Sequence, residues 1–209
     1  MKTIVIATNN KNKLAEFKRI FSCEQGSGYR ILSLADVGFC EEIEENADTF
    51  QGNALLKARA VSKFTGLCAV ADDSGLQVDY LNGAPGVYSA RYAGEGASSS
   101  QLIAKLLSEM KCAAEDERTA RFVSVMCAYF PNGQTVFAEG ICEGSILYAP
   151  AGENGFGYDP VFYYQPMNKT FAEMDSVEKN SISHRALATA DLLDKLKNID
   201  KVAFDDSNA

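Results

Sequence analysis

Residues 3–8, TIVIAT, form an unbroken β-branched and apolar run that gives way within two residues, Asn9 and Asn10, to a helical period at Leu14, Phe17 and Phe21. A strand without polar alternation must be covered on both faces, and a helix that follows so closely supplies part of that cover. The chain is therefore of the α/β class, beginning strand, tight turn, helix. A second strand is predicted near Tyr29–Leu34, and a helix from Asp48 or Thr49, both good N-caps, to about Phe64. Within that helix Phe50, Asn53, Lys57, Val61 and Phe64 recur at steps of three and four. An amide and an ammonium on a largely apolar face need a reason.

Leu67–Ala71 reads as a buried strand running into Asp72, Asp73, Ser74 and Gly75, after which Leu76–Leu81 can pair as another. The Gly-rich stretch 82–96, with Pro85, reads as a functional loop. One of Ser98, Ser99 and Ser100 caps a helix to about Met110. From Arg118 the texture changes: Phe122–Phe130, Thr135–Glu139 and Ile141–Tyr148 are separated by turn signals at Pro131-Asn132-Gly133 and at Gly140. These are predicted to be successive antiparallel strands. A short strand over Val161–Tyr164 follows a Gly-rich loop, and Ser183 opens a last helix with apolar positions at Ala186, Ala190, Leu193 and Leu196. The tail from Asp205 reads as frayed. No repeat or linker divides the chain, so residues 1–209 read as one α/β domain. It has a mixed sheet with flanking helices, a helical first half and a strand-rich second half, in two lobes around a substrate cleft.

Composition excludes several classes. With 46% apolar and 23% charged residues the chain is neither disordered nor fibrous. Twenty Lys and Arg against 28 Asp and Glu give a net charge of −8, which argues against nucleic acid as a partner, since duplex binding draws on neutralised phosphates. The six cysteines stand singly with no CxxC pair, most of them in apolar surroundings, and read as reduced thiols. The longest apolar run, Val125–Phe130, falls far short of the roughly 18 residues that span a bilayer. Ile4–Ala7 is too short for the core of a secretion signal. These features place the protein in the cytoplasm, away from membranes.

Four polar clusters fall at predicted strand ends or loops. The first is TNNKNK, 8–13, where helix N–H groups and Lys13 suit phosphate, although an asparagine there also serves as a plain cap. In the second, Asp72-Asp73, neighbouring strand side chains point to opposite faces, so one carboxylate can face a metal or water while the other is held by backbone donors. A turn with Ser74 and Gly75 is the plainer alternative. The third joins Glu45 to Asn53 and Lys57, whereas Glu41, Glu42 and Glu44 read as a solvated loop. The fourth combines GFGYDP, 155–160, with Lys179, Arg185 and His184, the one histidine in the chain. A Gly-flanked aromatic presents a ring to a planar base, and the cationic side chains can meet acceptors on its edge. Phosphate cradle, carboxylate centre and aromatic shelf together suit a nucleoside triphosphate. No P-loop or GxGxxG motif is present.

At these residues the chain resembles the inosine triphosphate pyrophosphatase family, enzymes that remove non-standard purine nucleoside triphosphates. The resemblance runs through TNNKNK, TFQGNALLKA (49–58), ADDSGLQVDYLNGAPGVYSARYAG (71–94), GFGYDP and SHRALA (183–188). It implies that Thr8, Asn9, Asn10, Lys11, Asn12 and Lys13 contact the triphosphate, with Lys57 near the phosphates and Ser74 on substrate. It implies that Asp73 is the proton acceptor and, with Glu45, a Mg²⁺ ligand. Phe156, Gly157, Tyr158, Asp159, Lys179, His184 and Arg185 match the base-recognition set. The family fold is likewise an elongated mixed α/β structure with a cleft between two lobes, usually a homodimer. Gly52 stands where many members carry Glu, although Gly there is also common in the family, at a helix cost of about 1 kcal/mol relative to Ala. The expected activity is Mg²⁺-dependent hydrolysis of ITP, dITP or XTP to the monophosphate and pyrophosphate. Its rivals are a nucleotide-binding regulatory module without turnover, and a Maf-like pyrophosphatase acting on pyrimidine or methylated nucleotides. Retention of both Glu45 and Asp73 speaks against the first, and the SHR segment against the second.

Overall fold

The computed structural model describes residues 2–23 and 29–203, without side chains at 21–23 and 200–203. The tail from Asp205 lies outside the described residues. The elements run β1 (Lys2–Ile6), α1 (Lys11–Cys23), β2 (Tyr29–Ser33), α2 (Phe50–Thr65), β3 (Cys68–Val78), α3 (Ser99–Glu109), β4 (Thr119–Tyr129), β5 (Thr135–Ile146), β6 (Phe162–Tyr164), β7 (Lys169–Thr170), α4 (Ser176–Ile182) and α5 (His184–Ala203). Among the described residues seven strands form one open sheet, ordered β2-β1-β3-β4-β5-β6-β7. β1 lies parallel to β2, with Ile4 opposite Ile31, and to β3, with Ile4 opposite Cys68. β5, β6 and β7 pair antiparallel, so the sheet is mixed, with helices flanking it as expected.

Two compact units divide the chain: residues 1–73, 125–140 and 186–209 form the first, and residues 74–124 and 141–185 the second. In the first, β1 and β3 are covered on both faces, as an unalternated run requires. Ile4, Ile6, Cys68 and Val70 pack with Phe17 of α1 and with Ala188, Leu192, Leu193 and Leu196 of α5. The alternate positions Val5, Ala7, Ala69 and Ala71 pack with Ala54, Ala58 and Val61 of α2. The core of the second unit joins Leu76 and Val78 to Leu102, Ile103 and Leu106 of α3 and to an aromatic group in which Phe122 lies 4.6 Å from Phe162 and 5.6 Å from Phe171, centroid to centroid.

Several sequence expectations are corrected. β3 does not end at Ala71 but runs without a break through Asp72 and Asp73 to Val78, absorbing the start of the expected separate strand at Leu76. Asp is a poor strand former, and here it is tolerated because cations and an amide meet both carboxylates. The stretch 82–96 is partly regular: residues Gly86–Arg91 form a 3-10 helix pinned by buried Ser89, whose Oγ accepts from Leu76 N at 2.9 Å and donates to Gly86 O at 2.6 Å. Gly140 is buried inside β5 and does not divide it. The turn before it holds, with Phe130 N donating to Gln134 O at 2.9 Å and Asn132 Oδ1 accepting from Gln134 N at 2.9 Å. β7 and α4 were not foreseen. α4 carries a capping box, Asp175 Oδ1 accepting from Val177 N and Glu178 N while Glu178 Oε2 accepts from Asp175 N. In α5 Ala190 is exposed, Ala188 and Leu192 being buried instead. Phe64 is exposed too, its ring edge-on to buried Phe39 at 5.2 Å. Of the described cysteines, Cys68, Cys127 and Cys142 are buried, and burial pushes the thiols of Cys127 and Cys142 up to about 12, whereas Cys40 and Cys112 are exposed.

Candidate active site

In the first unit the site follows from the pleat of β3. Asp72 shares its face with Val70, toward α1, and Asp73 shares its face with Ala71, toward α2. Lys13, one turn into α1, brings Nζ to 3.0 Å from Asp72 Oδ2, and both side chains are largely withdrawn from solvent. On the opposite face Asp73 Oδ2 accepts from Asn53 Nδ2 at 3.0 Å. Lys57, one helical turn beyond Asn53, donates to Glu45 Oε2 at 2.9 Å and stands 3.8 Å from Asp73 Oδ1. The polar pair on the buried face of α2 thus has its reason in the two carboxylates.

Burial pushes the Asp73 carboxyl above its ordinary value. The Lys57 and Lys13 ammonium groups and the Asn53 amide act against that rise, and Glu45 adds to it. A carboxylate held this way is easier to protonate than one in water, which suits a proton acceptor. Glu45 and Asp73 converge on one cation, the Lys57 ammonium, and supply hard oxygen donors. Among the described residues no group of three or more His, Cys, Asp or Glu side chains converges. Two carboxylates are nevertheless what Mg²⁺ commonly takes from a protein when substrate phosphates complete its shell, so the donor set fits.

In the TNNKNK turn the capping alternative holds for Asn10. Asn10 Oδ1 caps α1, accepting from Asn12 N at 2.9 Å and Lys13 N at 3.1 Å, and Thr8 Oγ1 accepts from Asn10 N at 3.2 Å. These two side chains shape the turn, while Asn9, Lys11 and Asn12 are exposed beside it.

In the second unit Phe156 is half-buried in the loop before β6. Its N–H donates to Asp159 Oδ2 at 2.8 Å, and the same oxygen accepts from buried Lys179 Nζ at 2.8 Å. Gly155 permits this turn, having φ +77° and a Cα where any Cβ would lie 2.1 Å from Asp159 Oδ2. Lys179 Nζ lies 5.2 Å and Arg185 Cζ 5.9 Å from the centroid of the Phe156 ring, within cation–π range. Arg185 Nη2 donates to Ser74 Oγ at 3.0 Å, and His184 stacks on Phe122 at 4.7 Å with 13° between planes. Tyr158 is buried and donates through Oη to Ser89 O at 2.9 Å, and Gly157 N donates to Ser99 Oγ at 2.9 Å. The arrangement is a ring flanked by two cations, able to stack a planar group and donate hydrogen bonds to its edge.

The model of the Ham1 family matches residues 4–195. The chain belongs to the Ham1 family. It is 48% identical to a dITP/XTP pyrophosphatase of Bacillus subtilis strain 168 over 202 residues, 97% of each chain. With a dITP/XTP pyrophosphatase of Bacillus licheniformis it shares 48% identity over 188 residues, 90% of this chain and 94% of the other. A solved Ham1 protein from Coxiella burnetii superposes with a TM-score of 0.86 at 40% identity, covering 95% of this chain and all of that one. A further Ham1 protein, from Staphylococcus aureus, gives 0.83 at 41% identity over 94% and 99%.

The structure brings Glu45, Lys57 and Asp73 together, joins Lys13 to Asp72, and gathers Phe156, Asp159, Lys179 and Arg185 around one ring. Asn53, grouped with Glu45 and Lys57 in the sequence but given no role there, belongs to the first group through its bond to Asp73. Ser99 was missed, since a serine among three gives no sign of which one holds a distant N–H.

Proposed function

We propose that the protein hydrolyses non-standard purine nucleoside triphosphates, ITP, dITP and XTP, to the monophosphate and pyrophosphate. The observation that carries this reading is the convergence of Glu45 and Asp73 on a single cation, Lys57 Nζ, in a chain 48% identical to dITP/XTP pyrophosphatases. Such a substrate offers a polyanion for the lysines and a planar 6-oxo base for the ring and its cations.

A water attacks the α-phosphorus and gives its proton to Asp73. The bridging bond to the β-phosphate breaks, and pyrophosphate leaves with the electron pair. Lys13 and Lys57 bind the phosphates and neutralise charge as the bond breaks. Glu45 and Asp73 are the residues that would hold Mg²⁺, whose chemistry when bound is to acidify water and neutralise phosphate oxygens. Phe156 stacks on the base. Lys179, held by Asp159, Arg185, held by Ser74, and His184 form the donor set from which the 6-oxo oxygen, with its two lone pairs, accepts. Adenine places a donor there, which sets donor against donor and leaves buried groups unmet at about 1–3 kcal/mol each. The homodimer and the cytoplasmic setting go with family membership in this reading, and no helix among the described residues is long and apolar enough to cross a membrane.

The test is pyrophosphate release with Mg²⁺ from a panel of ITP, dITP, XTP, ATP and pyrimidine triphosphates. Turnover of the three 6-oxo substrates at least a hundredfold above ATP is expected. Comparable rates on ATP, or preference for a pyrimidine, would overturn the reading.

A further inference from the structure

Asn53 is 1% exposed, and its amide is used at both ends. Nδ2 donates to Asp73 Oδ2 at 3.0 Å, and Oδ1 accepts from Ala47 N at 3.0 Å. Ala47 lies two residues after Glu45. One side chain therefore ties the segment that bears Glu45 to the carboxylate of Asp73. Gly52, the preceding residue of α2, makes the approach possible, since a Cβ there would stand 2.6 Å from Ala47 Cβ. The bond to Nδ2 also distinguishes the two oxygens of Asp73. Oδ2 is held by the amide, and Oδ1 is the one turned toward Lys57 Nζ at 3.8 Å.

We propose that Asn53 is a positioning residue of the pyrophosphatase reaction, fixing the rotation of the Asp73 carboxylate and the reach of Glu45 through a single amide. The assignment rests on the function proposed above. No other side chain of similar size does both tasks: aspartate keeps an acceptor for Ala47 N but turns a second carboxylate on Asp73, and leucine fills the space and makes neither bond. A carboxylate free to rotate still binds cations, but presents its oxygens in the reacting geometry for less of the time. A misplacement of about 1 Å is enough to cost on the order of 10²-fold in rate.

The experiment measures kcat and KM of wild type and Asn53→Leu on dITP, with melting temperature, circular dichroism and calorimetric affinity for dIMP alongside. Expected are a folded variant, dIMP affinity and KM within threefold of wild type, and kcat lower by roughly 10²-fold. A folded Asn53→Leu with kcat within threefold of wild type, or with dIMP affinity falling as far as kcat, overturns the positioning role. If Asn53→Leu does not fold, Asn53→Ala carries the same two outcomes, because it removes both bonds while adding neither charge nor bulk beside Asp73. Absence of wild-type turnover on dITP overturns the proposed function and this role together. Wild-type turnover with undiminished variant turnover overturns this role alone.

Discussion

Asp73 shows most directly how one position sets function against stability. Its carboxyl is raised by burial more than the neighbouring cations lower it, so folding favours the protonated form. A carboxyl whose folded pKa exceeds its unfolded one weighs against the fold above the folded value, and that burden lifts as pH falls toward the unfolded value. Asp73→Asn removes the burden and the proton acceptor together. Nucleotide affinity should persist while kcat falls by at least 10²-fold, and the variant should melt no lower than wild type at pH 7, any excess shrinking in mildly acid buffer. Steady-state kinetics and melting curves at several pH values check both. For the wild type, the acid limb of kcat/KM should lie above pH 3.8, the ordinary carboxyl value. At this scale much was legible. The paired aspartates on opposite faces, and the misplaced polar residues on α2, follow from periods of two and 3.6. The double use of Asn53 was not legible, since nothing local says that Ala47 N will face it.

Elements were read well where pattern decides and poorly where a distant partner does. β1, α1, α2 and α3 follow from apolar period and caps, as with Thr49 Oγ1 accepting from Gly52 N and Ser98 Oγ from Gln101 N. β3 was cut short in the reading because propensity counts two aspartates against a strand, while Lys13, Asn53 and Lys57 come from elsewhere in the chain. α4 had a visible signal in Asp175 to Glu178, the spacing of a capping box, that went unread. Gly52 is a case of two element-level effects in opposition. Alanine there is worth about 1 kcal/mol in helix propensity, but its Cβ would press on Ala47, whose own Cβ cannot swing away, and overpacking costs about 1–3 kcal/mol. The second effect should win. Gly52→Ala should lower the melting temperature by a few degrees and lower kcat on dITP, because the segment displaced carries Glu45. An unchanged melting temperature and kcat would show that the segment moves freely.

For the molecule as a whole, class and two lobes were expected from the sequence, but not which residues make up each compact unit, because each is assembled from separated stretches that only long-range pairing defines. The carboxylate cluster likewise draws on α1, α2, β3 and the segment before α2. Lys13 and Lys57 are already matched by Asp72, Asp73 and Glu45, three carboxylates against two ammonium groups, so this cluster brings no surplus positive charge to arriving phosphates. Activity on dITP should therefore vanish in excess chelator and return with added Mg²⁺, measured as pyrophosphate release, and full activity in chelator would refute the donor assignment of Glu45 and Asp73.

The packing of Ile4, Ile6 and Phe17 against Leu192, Leu193 and Leu196 fixes a schedule for the newborn chain. At roughly 5–20 residues per second, the first strand leaves the ribosome about 10–40 s before the helix that covers it has been made. During that interval the face of β1 that α5 will cover stays exposed to solvent. The unit that carries Asp73 is the last to be closed, and a ribosome that stalls before residue 190 leaves behind a chain in which Ile4 and Ile6 lack Leu192, Leu193 and Leu196 to pack against.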